Sequence, residues 1–131
     1  MKSMREPSQQ VDTLAKQVIG AAIEVHRILG PGFLESVYEE ALAIEFDLRG
    51  ITYERQKPIN LIYKDKPVGD SRLDFLVGGE LVVELKAIEI VHPIHPARVI
   101  TYLKMTGLDL ALIINFDVEL LKDGIKRIVA T

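Results

Sequence analysis

Cysteine is absent from the 131-residue sequence, which removes disulfides, thiolate metal ligands and cysteine nucleophiles together. No His cluster at zinc spacing takes their place, so zinc is not expected. The segment Met1-Lys2-Ser3-Met4-Arg5-Glu6-Pro7 lacks the apolar stretch of a signal peptide. No run approaches the roughly 18 apolar residues of a membrane span. A cytoplasmic protein without membrane contact is the expectation. Neither GxxxxGK(S/T) nor GxGxxG occurs, which leaves a nucleotide cofactor without support. Gly-x-Ser-x-Gly, the usual hydrolase elbow, is missing as well. Positive charge is also short: 16 Lys+Arg against 19 Asp+Glu give a formal charge of −3. Domains that grip long duplex through many phosphate contacts are usually basic. That balance disfavours a broad basic footprint but leaves room for an enzyme that meets phosphate through a metal ion.

What is present is apolar material in ordered patterns. At 48% hydrophobic residues the chain can bury a core without staples, since domains of this size bury roughly two-thirds of their unfolded surface. Residues 1–10 read as a flexible N-terminus and 11–131 as a single domain. Val11, Leu14, Ala15, Val18, Ala22, Val25 and Leu29 form the stripe of an amphipathic helix, ended by Gly30-Pro31-Gly32. A second helix is predicted from Phe33 to Arg49, with Leu34, Val37, Ala41, Ile44 and Leu48 inward and Gly50 as its stop. Strands follow at Ile51 to Tyr63, Arg72 to Val77 and Leu81 to Ala87. A third helix spans Ala97 to Thr106. Leu108 to Phe116 is apolar enough for a strand covered on both faces, and Ile125 to Val129 adds a short edge. The expected class is α/β (α+β), with helices on a mixed sheet that contains a three-stranded antiparallel meander.

The third strand carries the chemistry. Alternation puts Val82, Glu84 and Lys86 on one face and Leu81, Val83 and Leu85 on the other. Charges on an apolar strand are costly to bury unless paired or bound to a cation. If Gly78-Gly79-Glu80 is a three-residue loop, Val77 faces Leu81 and Asp74 faces Glu84, about 5 Å apart at Cβ. A two-residue turn would send the two acids to opposite faces. Two carboxylates that close raise each other's pKa unless a positive charge intervenes. Mg²⁺, a hard ion that takes oxygen ligands, would supply it. Lys86, one pleat further on, is placed to steady an attacking water or neutralise charge on the phosphate. An Asp-Lys-Glu salt-bridge cluster is the alternative reading of the same spacing.

Asp74, nine residues, then Glu84-Leu85-Lys86 on consecutive strands resembles the PD-(D/E)XK nuclease superfamily, as does the order helix, three strands, helix, strand. Gly32-Phe33-Leu34-Glu35-Ser36-Val37-Tyr38 is similar to the motif of the small bacterial GxxExxY proteins of that superfamily. Glu24 to Gly32, Asp74 to Val77, Val83 to Ala87, Tyr102-Leu103-Lys104 and Ile113 to Phe116 extend the likeness over residues 11 to 129. The resemblance implies a restriction-endonuclease-like core and Mg²⁺-dependent hydrolysis of DNA or RNA, DNA being the first expectation, with Mn²⁺ as a substitute ion. It implies that Asp74, Glu84 and the Leu85 carbonyl hold the metal, that Lys86 is the catalytic lysine, and that Glu35 is an accessory acid. One position departs from the family pattern. Arg98 stands where Gln is common, four residues before Tyr102 and on the same helix face. Arg98 can clamp a phosphate or pair with Glu84 and exclude the metal.

Other polar residues have plainer readings. Tyr38 and His26 suit hydrogen-bonded core positions, His92 and His95 suit a loop near the site mouth, and Gln56 is placed to face the cleft. The substrate-binding expectation is Arg98, Tyr102 and Gln56. Two functions remain open: a metal-dependent nuclease, or a non-catalytic binding module that keeps the fold. A homodimer fits both, and the apolar last strand and β-rich edge offer surfaces for it.

Overall fold

The computed structural model describes residues 6–130. Half of the N-terminal segment expected to be flexible, residues 1–5, lies outside the described residues. Helix α1 (Gln9–Leu29) begins two residues earlier than the stripe suggested, because the Ser8 hydroxyl accepts a hydrogen bond from the Val11 N–H at 3.2 Å. Helix α2 (Glu35–Arg49) returns beside it and stops at Gly50 in the left-handed conformation. Strands β1 (Tyr53–Tyr63), β2 (Lys66–Val77) and β3 (Leu81–Lys86) form the antiparallel meander. Helix α3 (Ile94–Thr106) crosses to β4 (Leu110–Asn115), which lies parallel to β3, and β5 (Ile125–Val129) completes a mixed sheet of order β1-β2-β3-β4-β5.

The sheet is sandwiched. Leu81, Val83, Leu85, Leu110, Leu112 and Ile114 face α1 and α2, whereas Val82, Ala111 and Ile113 face α3. All six residues of β4 are buried, as a strand covered on both sides requires. That strand is interior, between β3 and β5, so the apolar last strand offers no edge for self-association. Among the described residues the sheet edges are β1 and the short, Lys126- and Arg127-bearing β5.

Helix α2 corrects the expected inward face. Leu34 and Leu48 are 74% and 77% exposed, and Val37 and Ile44 also face outward; Tyr38, Leu42, Ala43 and Phe46 are buried instead. The helix is apolar on two faces, and ring packing decides between them. Tyr38 stacks on Phe116 with centroids 4.4 Å apart, and Phe46 meets Phe75 edge-on at 5.2 Å. Aromatic pairs of this kind add to burial by roughly 0.5–1.5 kcal/mol each.

The β1–β2 ribbon is longer than predicted because Pro67 and Gly69 do not stop β2, being near the ribbon's tip and away from the packed core. Within it the side chains change sides. Tyr53 and Phe75 pack toward α1 and α2, but Ile59 and Leu73, of the same parity, pack toward α3. The reversal falls at Gln56, whose φ is 50°, and at Asp74 beside it. The register is kept across this point, Arg55 facing Phe75 and Lys57 facing Leu73, so the positive φ re-aims the side chains by breaking the pleat without inserting a residue.

Candidate active site

The three-residue connection is present. Gly78 and Gly79 take φ of 58° and 70°, and the pairs Val77–Leu81, Leu76–Val82 and Phe75–Val83 set the register. One step further the backbone ladder gives way to side chains. The Asp74 N–H donates to Glu84 Oε1 at 3.0 Å, and the Leu85 N–H donates to Asp74 Oδ2 at 2.8 Å. Each carboxylate is held by the opposite strand's backbone. Because the Lys86 carbonyl accepts from the Phe116 N–H on the β4 side, alternation turns the Leu85 N–H and carbonyl toward β2, the Asp74 side.

Burial makes this pair electrostatically uncomfortable. Glu84 is 8% exposed, and desolvation followed by repulsion from Asp74 pushes its pKa from the ordinary 4.5 to about 8. Asp74 is also raised, by desolvation first, against the pull of the Leu85 N–H; Glu39 adds to the rise and Lys86 opposes it. Glu35, the first residue of α2, is raised by desolvation, with Lys86 drawing it down and Asp74 and Glu39 pushing it up. Lys86 thus acts on three carboxylates at once. The cluster lies where β3 ends and where the N-terminal turns of α2 and α3 approach, the usual place for a ligand in open α/β sheets.

The residues present suit a divalent cation. Asp74 and Glu84 are two hard oxygen donors side by side on adjacent strands, and a cation between them would offset the desolvation and repulsion that raise their pKa values. Among the described residues no three His, Asp or Glu side chains form a complete metal cage. Mg²⁺ seldom uses one; it keeps waters and binds through one or two carboxylates plus phosphate.

The expected substrate residues are not gathered in one place. Gln56 is at the carboxylates: its Nε2 donates to Glu39 Oε1 at 2.7 Å and lies 3.5 Å from Asp74 Oδ1. Arg98 and Tyr102 instead line a neighbouring cleft of about 450 Å³ between α3 and the ribbon, with Leu61, Asp70 and Ser71. The Tyr102 hydroxyl is 2.8 Å from Ser71 Oγ, whereas Arg98 is exposed and forms no ion pair among the described residues. Of its two alternative roles, the pairing with Glu84 is therefore not formed. His95 sits at the head of α3 with Nδ1 buried and unbonded among the described residues. Desolvation, then Lys86, Arg98 and His92, lower its pKa.

The Gly32 to Tyr38 segment shapes the entry to α2. Gly32 takes φ of 102°, and the Tyr38 hydroxyl donates to the Gly30 carbonyl at 2.6 Å and accepts from the Phe33 N–H at 3.2 Å. His26 is buried with Nε2 2.8 Å from the Val118 carbonyl. Both are core residues with polar partners, as expected. Glu39 is the residue the sequence reading missed. Its signal was its place one turn after Glu35 on the same helix face.

A mixed sheet between helical layers, with two acids on adjacent strands and a lysine two residues on, defines a restriction-endonuclease-like architecture. The family model of the PD-(D/E)XK nuclease superfamily matches residues 12–128, and the chain belongs to that superfamily. Its nucleases generally use divalent metal ions. Comparison with curated proteins finds no match, and comparison with solved structures finds none either. Among the described residues no helix is long and apolar enough to cross a membrane.

Proposed function

We propose that this protein is a divalent-metal-dependent nuclease that hydrolyses phosphodiester bonds, DNA before RNA, and that within the superfamily it is one of the GxxExxY proteins. The observation that carries the reading is the Asp74–Glu84 pair, Glu84 buried and Asp74 half-buried, each carboxylate tied to the other strand's N–H. Asp74, Glu84 and the Leu85 carbonyl would hold Mg²⁺, or Mn²⁺ in its place. What such an ion supplies when bound is polarisation of a phosphoryl oxygen and a lowered pKa for water.

The chain's own residues do the rest. The Lys86 ammonium, set among Asp74, Glu84 and Glu35, orients the attacking water and offsets charge growing on the phosphate. Glu35, whose pKa burial raises above that of an ordinary glutamate, is the stronger base for it and is placed to take a proton from the attacking water. Arg98, unpaired and exposed at the cleft, clamps a flanking phosphate. Tyr102 braces the cleft wall through Ser71. Calorimetric titration of Mg²⁺ and Mn²⁺ tests the site: binding to wild type that disappears in Asp74→Ala and Glu84→Ala supports it, and no binding to wild type refutes it. Cleavage of single-stranded, duplex and flap substrates should then be lost in Lys86→Ala.

A second reading, a non-catalytic module that assembles as a homodimer, draws on one observation: the outward stripe Leu34, Val37, Ile44 and Leu48 on α2. A monomer in sedimentation equilibrium, unchanged by Ile44→Glu/Leu48→Glu, would remove it.

A further inference from the structure

The hydrogen bonds around Asp74 continue away from the metal-facing side in an unbroken chain. Glu40 Oε2 pairs with Arg55 Nη2 at 2.9 Å, and Arg55 Nη2 and Nε both donate to Glu39 Oε2, at 2.9 and 3.3 Å. The other Glu39 oxygen accepts from Gln56 Nε2 at 2.7 Å, and the same amide reaches Asp74 Oδ1 at 3.5 Å. Asp74 Oδ2 is already committed to the Leu85 N–H. Both oxygens of Asp74 are therefore oriented, one from β3 and one from β1.

We propose that Glu39, gripped by Arg55, is a positioning residue that fixes the Asp74 carboxylate through the Gln56 amide. The inference rests on the nuclease reading, in which Asp74 is a metal ligand. Two features set this chain apart from an ordinary surface network. First, Gln56 adopts φ of 50° in the middle of a strand, a region in which non-glycine residues are strained and which concentrates at functional sites. With an ordinary strand φ, its side chain would follow the alternation of β1 and not reach both Glu39 and Asp74. Second, the chain joins α2 to the sheet, so the helix that carries Glu35 and the strand that carries Asp74 are set relative to one another. Outer-layer partners of this kind commonly control metal affinity by 10–100-fold.

Gln56→Gly separates this role from a structural one, because glycine accepts the positive φ while removing the amide. The expected result is a thermal midpoint unchanged or raised by about 2–4 °C, together with a Mn²⁺ dissociation constant at least about tenfold weaker. Glu39→Gln keeps one oxygen for Gln56 but turns an amide NH2 toward the Arg55 donors, so it should lose only part of the affinity; Glu39→Ala should lose it to the same extent as Gln56→Gly. Equal losses in Glu39→Gln and Glu39→Ala would mean that only the charge of Glu39 matters and would overturn the proposal. Amide hydrogen exchange at Leu85 in metal-free protein gives an independent reading, since its N–H is held by Asp74. Faster exchange in Gln56→Gly and Glu39→Ala, with Glu39→Gln between them and wild type, supports the relay. If wild type binds no Mn²⁺, the metal reading fails and the Leu85 amide alone decides the relay; exchange unchanged in all three variants overturns it.

Discussion

Replacing Glu84 by glutamine should stabilise the metal-free protein at high pH and leave it unaffected at low pH. The wild-type carboxyl has its pKa raised from 4.5 to about 8 in the folded chain. Between those values the folded state holds a proton that the unfolded state has released, so stability falls as pH rises. The favourable contribution is complete below about pH 4.5 and gone above about pH 8. At 1.36 kcal/mol per pH unit the full change is roughly 5 kcal/mol, large against a typical total of about 5–15 kcal/mol. Glutamine keeps the size and an acceptor for the Asp74 N–H but never ionises. The difference between variant and wild type should therefore grow from near zero at pH 4 toward a few kcal/mol at pH 8.5. Asp74 and Glu35 are raised as well, so the variant keeps a shallower slope of the same sign. Urea unfolding followed by far-UV circular dichroism in chelator, from pH 4 to 9, measures this directly. Millimolar Mg²⁺ should then stabilise wild type and narrow the gap, because an ion that binds only the folded state adds to its stability. A variant less stable than wild type at pH 8.5, or a difference that does not vary with pH, would refute the reasoning.

Tyr38→Phe removes the hydroxyl that closes the Gly30–Phe33 loop and should cost about 1–2 kcal/mol by denaturant titration while Phe116 stacking persists in near-UV spectra. Asn115→Ala strips three bonds that staple the chain after the site strand: its side chain accepts from the Ile88 and Asp117 N–H groups and donates to the Ile88 carbonyl. A loss of about 1–3 kcal/mol is expected for the buried partners left unpaired. Deleting Gly79 shortens the hairpin loop and shifts β3 by one residue, moving Glu84 away from Asp74. Mn²⁺ binding measured by calorimetry should vanish, and the variant should melt well below wild type.

Legibility in the sequence followed how local the physics is. The Asp74–Glu84 placement could be read from a loop of three residues and a side-chain period of two, both backbone properties. Strand β4 was readable because a strand buried on both faces has no alternation to hide. The inward face of α2 was not, since Leu34, Val37, Ile44 and Leu48 are as apolar as Tyr38, Leu42 and Phe46. Only the position of Phe116 and Phe75 in the folded chain selects the second set. The roles of Glu39 and Gln56 depend on one positive φ at a non-glycine residue, which no composition or spacing announces. Arg98 and Tyr102 were correctly read as sharing a face, but the ribbon that walls off their cleft lengthened beyond its predicted start at Arg72.

The reversal of sides at Gln56 and Asp74 has a consequence for how such a protein can diversify. Before that point the odd-numbered ribbon residues Tyr53, Phe75 and Val77 pack in the layer of α1 and α2, with Leu76 on the opposite side; beyond it, odd-numbered Ile59 and Leu73 pack in the layer of α3. The carboxylates sit on the boundary, with the floor of the site built from one layer and the wall of the cleft from the other. Residues beyond the boundary, together with α3, form a unit that can be exchanged for another shape without rebuilding the helical hairpin behind Asp74. Variation in what the cleft accepts and retention of what lies at its base are thus assigned to different stretches of chain, and two adjacent residues on neighbouring strands mark the border.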